Sequence, residues 1–234
     1  MKSDLSPHTA PPLFESTLDM PSNDKRQNIS STSNRRTCFV TIGATASFAG
    51  LIRAVLTADF LRSLEKHKYT ELIVQFGAGG EKLFADCQNR AREEIEAVDS
   101  TTINSIKVEG FPVDTQGLDQ YMSRAKGAKD AGAVEGCVIS HAGTGTILSA
   151  MRLAIPVIVV PNEELLDNHQ VELAEVLAKQ GYVVHGQVSN IRTALDRLDE
   201  LREGVNKWPP VNSGEHRKSN TIKQVLDEEM GYLD

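Results

Sequence analysis

The run Val157-Ile158-Val159-Val160 constrains this chain more than any other stretch of it. Strands buried in a parallel sheet are covered on both faces, so they read as unbroken apolar runs and not as alternation. Pro156 to Val160 is the clearest of six such runs, the others being Cys38 to Ile42, Glu71 to Phe76, Ile103 to Val108, Cys137 to Ser140 and Tyr182 to Val184. Between them lie stretches with a helical apolar stripe: about Phe48 to His67, Glu81 to Val98, Gln116 to Lys126, Gly145 to Leu153, Asp167 to Gln180 and Ser189 to Glu203. Strand and helix in regular alternation predict an α/β fold with a doubly wound, mostly parallel, Rossmann-like sheet.

The fifth helix is the best defined. Val171, Ala174, Leu177 and Ala178 fall on one face, Asp167 or Asn168 can cap its start, and Gly181 closes its end. Arg124 to Gly136 carries three glycines among Ala and Lys and reads as an exposed loop. Residues 1–36, rich in Ser, Pro, Asn and Thr without a sustained period, read as a disordered leader. Asp4, Glu15, Asp19 and Asp24 set that leader apart from a mitochondrial transit peptide. Residues 37–205 form the Rossmann-like domain, and 206–234 a linker and last helix. Ile222, Val225, Leu226 and Met230 share a face of that helix, which must cover this chain's own core or another protein. Deleting Thr221 to Asp234 is therefore expected to destroy stability or partner binding.

Composition narrows the function. A chain of 234 residues with 40% hydrophobic and 24% charged residues has room for one good-sized core and a tail. Only 5% aromatic residues and a net charge of −7 argue against nucleic-acid binding and against basic adhesion to anionic lipid. No apolar run reaches the roughly 20 residues that span a bilayer, and the cytosol is the expected compartment. Cys38, Cys87 and Cys137 are odd in number and widely spaced, so they read as buried thiols in a reducing compartment, without a disulfide framework or zinc site.

Ligands of an open parallel sheet bind outside the carboxyl ends of its strands. The loops there are unusual: Gly43-Ala44-Thr45-Ala46-Ser47-Phe48 after the first strand, Gly77-Ala78-Gly79-Gly80 after the second, and His141-Ala142-Gly143-Thr144-Gly145-Thr146 after the fourth. Gly143 and Gly145 let the backbone approach a ligand, and Thr144 and Thr146 set hydroxyls beside the free N–H groups of a helix start, an arrangement that favours an anion. No Lys follows Gly145 and Leu148 stands where a third glycine would be, so ATP-hydrolysing and dinucleotide-binding loops are both disfavoured. After the fifth strand come Asn162, Glu163, Glu164, Asp167, Asn168, His169 and Gln170, whose amides, carboxylates and imidazole suit a polyhydroxylated ligand. His141 lies one residue past a strand end and is the candidate catalytic base, although no triad partner accompanies it. The missing partner favours a role in holding the loop, or a contact with the ligand's phosphate, over that of a base.

Val138 to Thr146 (VISHAGTGT), Ile155 to Pro161 (IPVIVVP), Asp167 to Gln170 (DNHQ) and Gly181-Tyr182 together resemble the soluble catalytic subunits of the dolichol-pathway N-acetylglucosaminyltransferase. Val40 to Thr45 and Ile73 to Gly77 fit the same family, and the resemblance runs from about Thr37 to Glu203. That family is similar to the C-terminal, donor-binding half of GT-B glycosyltransferases of family 28. The resemblance implies transfer of N-acetylglucosamine from UDP-N-acetylglucosamine to N-acetylglucosaminyl-diphosphodolichol in N-glycan precursor synthesis. It implies a membrane-anchored, acceptor-binding partner subunit that recruits the chain to the cytosolic face of the endoplasmic reticulum, and no tightly bound metal or other cofactor.

Carried over, Gly143, Thr144, Gly145 and Thr146 would receive the UDP diphosphate and ribose. His169 and Gln170 would face the sugar, with Asn168 beside them, and Gly43, Ala44 and Thr45 would border the cleft. Two positions depart from the pattern. Relatives often carry an acidic residue at Ser149 to hold ribose hydroxyls, and an Arg at Ala78; Glu163 or Glu164 is a candidate substitute, refuted if Glu163→Ala and Glu164→Ala leave UDP-sugar binding unchanged. Those departures keep one alternative open, a non-catalytic regulatory or binding subunit with the same fold.

Overall fold

In a computed structural model of the chain, residues 34–44, 47–98, 106–128, 130, 132–163 and 169–207 are described below. Six strands, β1 (Arg35–Thr41), β2 (Glu71–Gln75), β3 (Lys107–Phe111), β4 (Ala133–Ser140), β5 (Val157–Val159) and β6 (Val184–His185), form one sheet. Every pairing is parallel and the order is β3-β2-β1-β4-β5-β6, the doubly wound arrangement the alternation predicted.

The helices cover both faces. On one lie α1 (Ala49–Val55), α2 (Ala58–Lys66), α3 (Glu81–Val98) and α7 (Ile191–Lys207), packed on Cys38, Val40, Leu72, Val74, Ile139, Ile158 and Val184. On the other lie α4 (Asp119–Lys126), α5 (Thr144–Arg152) and α6 (His169–Lys179), packed on Phe39, Ile73, Val138, Val157 and Val159. Alternate residues of each strand thus feed opposite cores, and the unbroken apolar run is the sequence record of that double burial. Phe39, Phe111 and Tyr121 stack on the second face, Phe111 and Tyr121 with centroids 4.0 Å apart.

Several boundaries differ from expectation, each for a physical reason. The stretch Phe48 to His67 is two helices: the first closes at its C-cap Leu56, and Thr57 Oγ1 accepts the Phe60 N–H at 3.2 Å to cap the second. β1 starts at Arg35, inside the expected leader. Arg36 donates to the Glu135 and His67 carbonyls at 2.9 and 2.6 Å and lies over the Tyr69 ring, which fixes the chain there. Arg124 to Gly136 is not a loop: α4 runs through Lys126 and β4 begins at Ala133. Gly136 sits at a bulge where β4 sets two residues against Thr37, and a Cβ on it would overlap the Thr37 carbonyl. β3 is displaced from Ile103 to Val108 to Lys107–Phe111, with Val108 as its sole overlap with the apolar residues of the expected run. It is the edge strand, half solvated, and its polar Lys107 and Glu109 hide it from an apolar-run reading.

Of the remaining elements α3 and α6 meet expectation closely, whereas β6 shares only Val184 with the expected run Tyr182 to Val184. Gly181, at φ +74°, ends α6, with the Tyr182 N–H donating to the Leu177 carbonyl at 3.0 Å. Cys38, Cys87 and Cys137 are free and buried, and burial pushes the Cys38 thiol well above its ordinary range. Both Cys38 and Cys137 lie within strands, not at their starts, since β1 and β4 begin earlier than expected. The expected last helix, with Ile222 to Met230, and residues 1–33 of the leader lie outside the described residues. Among the described residues no helix is long and apolar enough to cross a membrane.

Candidate functional site

Between β1 and β4 the crossovers diverge, β2 and β3 going to one side and β5 and β6 to the other. A crevice outside the carboxyl ends of the two strands is the consequence of that topology. The loops that leave them meet there. Gly43, at φ +78°, turns the chain as it leaves β1, and its N–H donates to Thr41 Oγ1 at 3.3 Å. That hydroxyl donates in turn to Gln75 Oε1 on β2, so the first loop is rooted on a buried polar pair.

The second loop is fixed as firmly. The His141 N–H donates to the Thr41 carbonyl at 3.3 Å, and the His141 carbonyl accepts from Ser140 Oγ at 2.6 Å and from the Gly143 N–H at 2.7 Å. Its imidazole lies against both glycines. A Cβ on Gly43 would stand 2.6 Å from Cε1 and 2.7 Å from Nε2 of the ring, and a Cβ on Gly143 would stand 2.7 Å from Cε1 and nearer still to Nε2. Nδ1 is buried with no hydrogen-bond partner. Burial holds the imidazole below its ordinary range, opposed more weakly by the Thr41 backbone.

Gly143 is also the N-cap of α5, with no side-chain cap and no acidic residue in the first turn. The first-turn N–H groups and the positive end of the helix dipole are therefore uncompensated by local carboxylates. Thr144 and Thr146 are half-buried and Gly145 is exposed, with nothing within 4 Å of a Cβ placed on it. Packing does not require glycine at 145, and free space stands over this end of α5. Ser149 is half-buried one turn further along the same helix.

A third loop, after β5, is tied to the first by Asn162, which the sequence offered only as one amide of a polar run and not as a tether. Asn162 is buried; its Nδ2 donates to the Ser47 carbonyl at 3.3 Å, and its backbone N–H donates to Gln170 Oε1 at 3.1 Å. Its one signal in the sequence is an amide directly after Pro161, in the loop that follows β5. Gln170 therefore stands at the expected edge with its amide oxygen engaged, leaving its NH₂ group as the donor it can offer. His169 opens α6. Ala44 and Glu163 are exposed, as is Ala78 in the loop after β2. Thr45, Glu164, Asp167 and Asn168 lie outside the described residues. Beside Asn162 a cleft of about 490 Å³ is lined by Phe48, Gly50, Pro161, Glu163, Gln187, Val188 and Ser189. Among the described residues no three His, Cys, Asp or Glu side chains gather as a metal would need.

The chain is similar to known proteins over most of its length. Residues 37–225 match the glycosyltransferase family 28 C-terminal domain. A protein of Cryptococcus neoformans var. neoformans serotype D named UDP-N-acetylglucosamine transferase subunit ALG13 is 30% identical over 84% of this chain and 97% of its own length. Its namesake in Saccharomyces cerevisiae is 34% identical over 62% of this chain and 74% of its own. The solution structure of an ALG13 superposes with a TM-score of 0.51 at 29% identity, covering 81% of this chain and 98% of that one. MurG of Acinetobacter baumannii shares the fold, with a TM-score of 0.52 at 14% identity over 82% of this chain and 53% of that one.

Proposed function

The chain belongs to the glycosyltransferase family 28 C-terminal domain family, and from that membership we propose that it is the donor-binding, catalytic subunit of a two-part N-acetylglucosaminyltransferase. The donor is UDP-N-acetylglucosamine and the acceptor N-acetylglucosaminyl-diphosphodolichol. The observation that carries the reading is the meeting of the Gly43 and Gly143 loops beside the open start of α5, at the switch point of the sheet. A diphosphate is the ligand that such uncompensated N–H groups favour.

In this reading the acceptor hydroxyl attacks the anomeric carbon from the face opposite the leaving group and gives up its proton to a general base of the assembled two-subunit enzyme. The carbon–oxygen bond to UDP breaks with inversion. The first-turn N–H groups of α5 stabilise the charge gathering on the departing diphosphate, where fixed dipoles cost no reorganisation. Thr144, Gly145 and Thr146 hold the diphosphate and ribose, and Gln170, with His169, orients the sugar. The reading invokes no resident metal. The acceptor lipid is delivered by a membrane-anchored partner subunit, which recruits this chain to the cytosolic face of the endoplasmic reticulum.

Donor binding is tested by titrating the full chain with UDP-N-acetylglucosamine while following backbone amide resonances. Saturable shifts concentrated at Gly43, Gly143 to Thr146 and Gln170 are expected. Shifts confined to the amino-terminal edge of the sheet, or no saturable binding with the partner present, would overturn the assignment.

A further inference from the structure

Gly43 and Gly143 need glycine for different reasons. At Gly43 the backbone itself asks for it, with φ at +78°. Gly143 has φ −78° and ψ 118°, extended backbone that any residue adopts. What excludes a side chain at Gly143 is the His141 ring, whose Cε1 and Nε2 occupy the space a Cβ would take. Gly145, two residues on, meets nothing and marks the open side of the same loop.

His141 is held in place by its backbone, through Thr41, Ser140 and Gly143. Its ring makes no hydrogen bond at the buried Nδ1, so packing against the glycines, and not polar pairing at that atom, accounts for its position. We propose that His141 is a positioning residue of the donor site: a wedge between the two glycine loops that sets their separation, and thereby the place of the diphosphate at the start of α5. The proposal rests on the donor-site reading above. Without the ring the loops can close on each other, and with a side chain at Gly143 they are forced apart. Either change moves the N–H groups away from the leaving group, and displacements of about 1 Å at such groups cost up to about a hundredfold in rate.

A double-mutant cycle tests it, because a steric partner is relieved by truncating the other member. UDP affinity and thermal unfolding are measured for the full chain and for Gly143→Ala, His141→Ala and the double variant. Gly143→Ala is expected to weaken UDP binding about tenfold or more while unfolding stays cooperative. Adding His141→Ala restores affinity to within about threefold of the His141→Ala variant alone. In complex with the partner, the same cycle reads as a KM for the donor that rises and is rescued. Penalties that simply multiply in the double variant, all four chains being folded and binding UDP, would overturn the wedge. Absence of UDP binding by the unmodified chain would overturn the donor reading and the wedge with it.

Discussion

At the scale of the single residue, His141 also makes stability depend on pH in a definable direction. Burial disfavours its protonated form in the folded chain, and no charged side chain among the described residues contributes to that shift. Unfolded, the imidazole titrates near its ordinary value of about 6.5. As pH falls below that value the unfolded chain takes up a proton that the folded chain refuses, so stability declines until the lowered folded value is passed and then levels off. Urea unfolding between about pH 7 and pH 5 is expected to show this decline, and His141→Gln to show less of it. Equal pH dependence in the two chains would count against a buried neutral imidazole. The glycines around this ring were legible as turn residues, because Gly between a strand and a helix has a local meaning. Their common partner was not, since Gly43 and His141 are distant in sequence and nothing local records that they touch.

At the scale of the element, three helices end in the same way. Tyr69 to Leu64, Ile155 to Ala150 and Tyr182 to Leu177 are matching N–H to carbonyl bonds of 2.9, 2.9 and 3.0 Å. The residue before each donor is left-handed: Lys68 at φ 62°, Ala154 at φ 53° and Gly181 at φ +74°. Glycine occupies this place without strain in only the last of them. Ala154→Gly and Lys68→Gly, both at exposed positions, are each expected to raise stability by about 0.5–1 kcal/mol in urea unfolding. Destabilisation by both would contradict the assigned caps. The same comparison explains what could be read beforehand. Gly181 announced the end of α6, whereas Lys68 and Ala154 carry no such mark and the ends of α2 and α5 were read from their apolar stripes alone. Likewise β5 was plain within a run of four β-branched residues, while the edge strand β3 and the bulged start of β4 were obscured by Lys107, Glu109 and Gly136, residues that exposure and close backbone approach permit there.

At the scale of the whole molecule, the sheet order, the two covered faces and the crevice between β1 and β4 give one candidate ligand site, which the proposed function reads as a nucleotide-sugar half-site. An acceptor half is not evident among the described residues. In the proposed function the lipid acceptor is supplied by another subunit. The alternative, a regulatory subunit of the same fold, differs in a single observable: it would bind the partner without supporting transfer. The most direct measurement adds the full chain to membranes that contain the acceptor-binding partner and supplies UDP-N-acetylglucosamine with N-acetylglucosaminyl-diphosphodolichol. Transfer of one N-acetylglucosamine, dependent on both the chain and the partner, is the predicted result. Transfer by the chain alone would contradict the half-enzyme account, and partner binding without transfer would contradict the catalytic one.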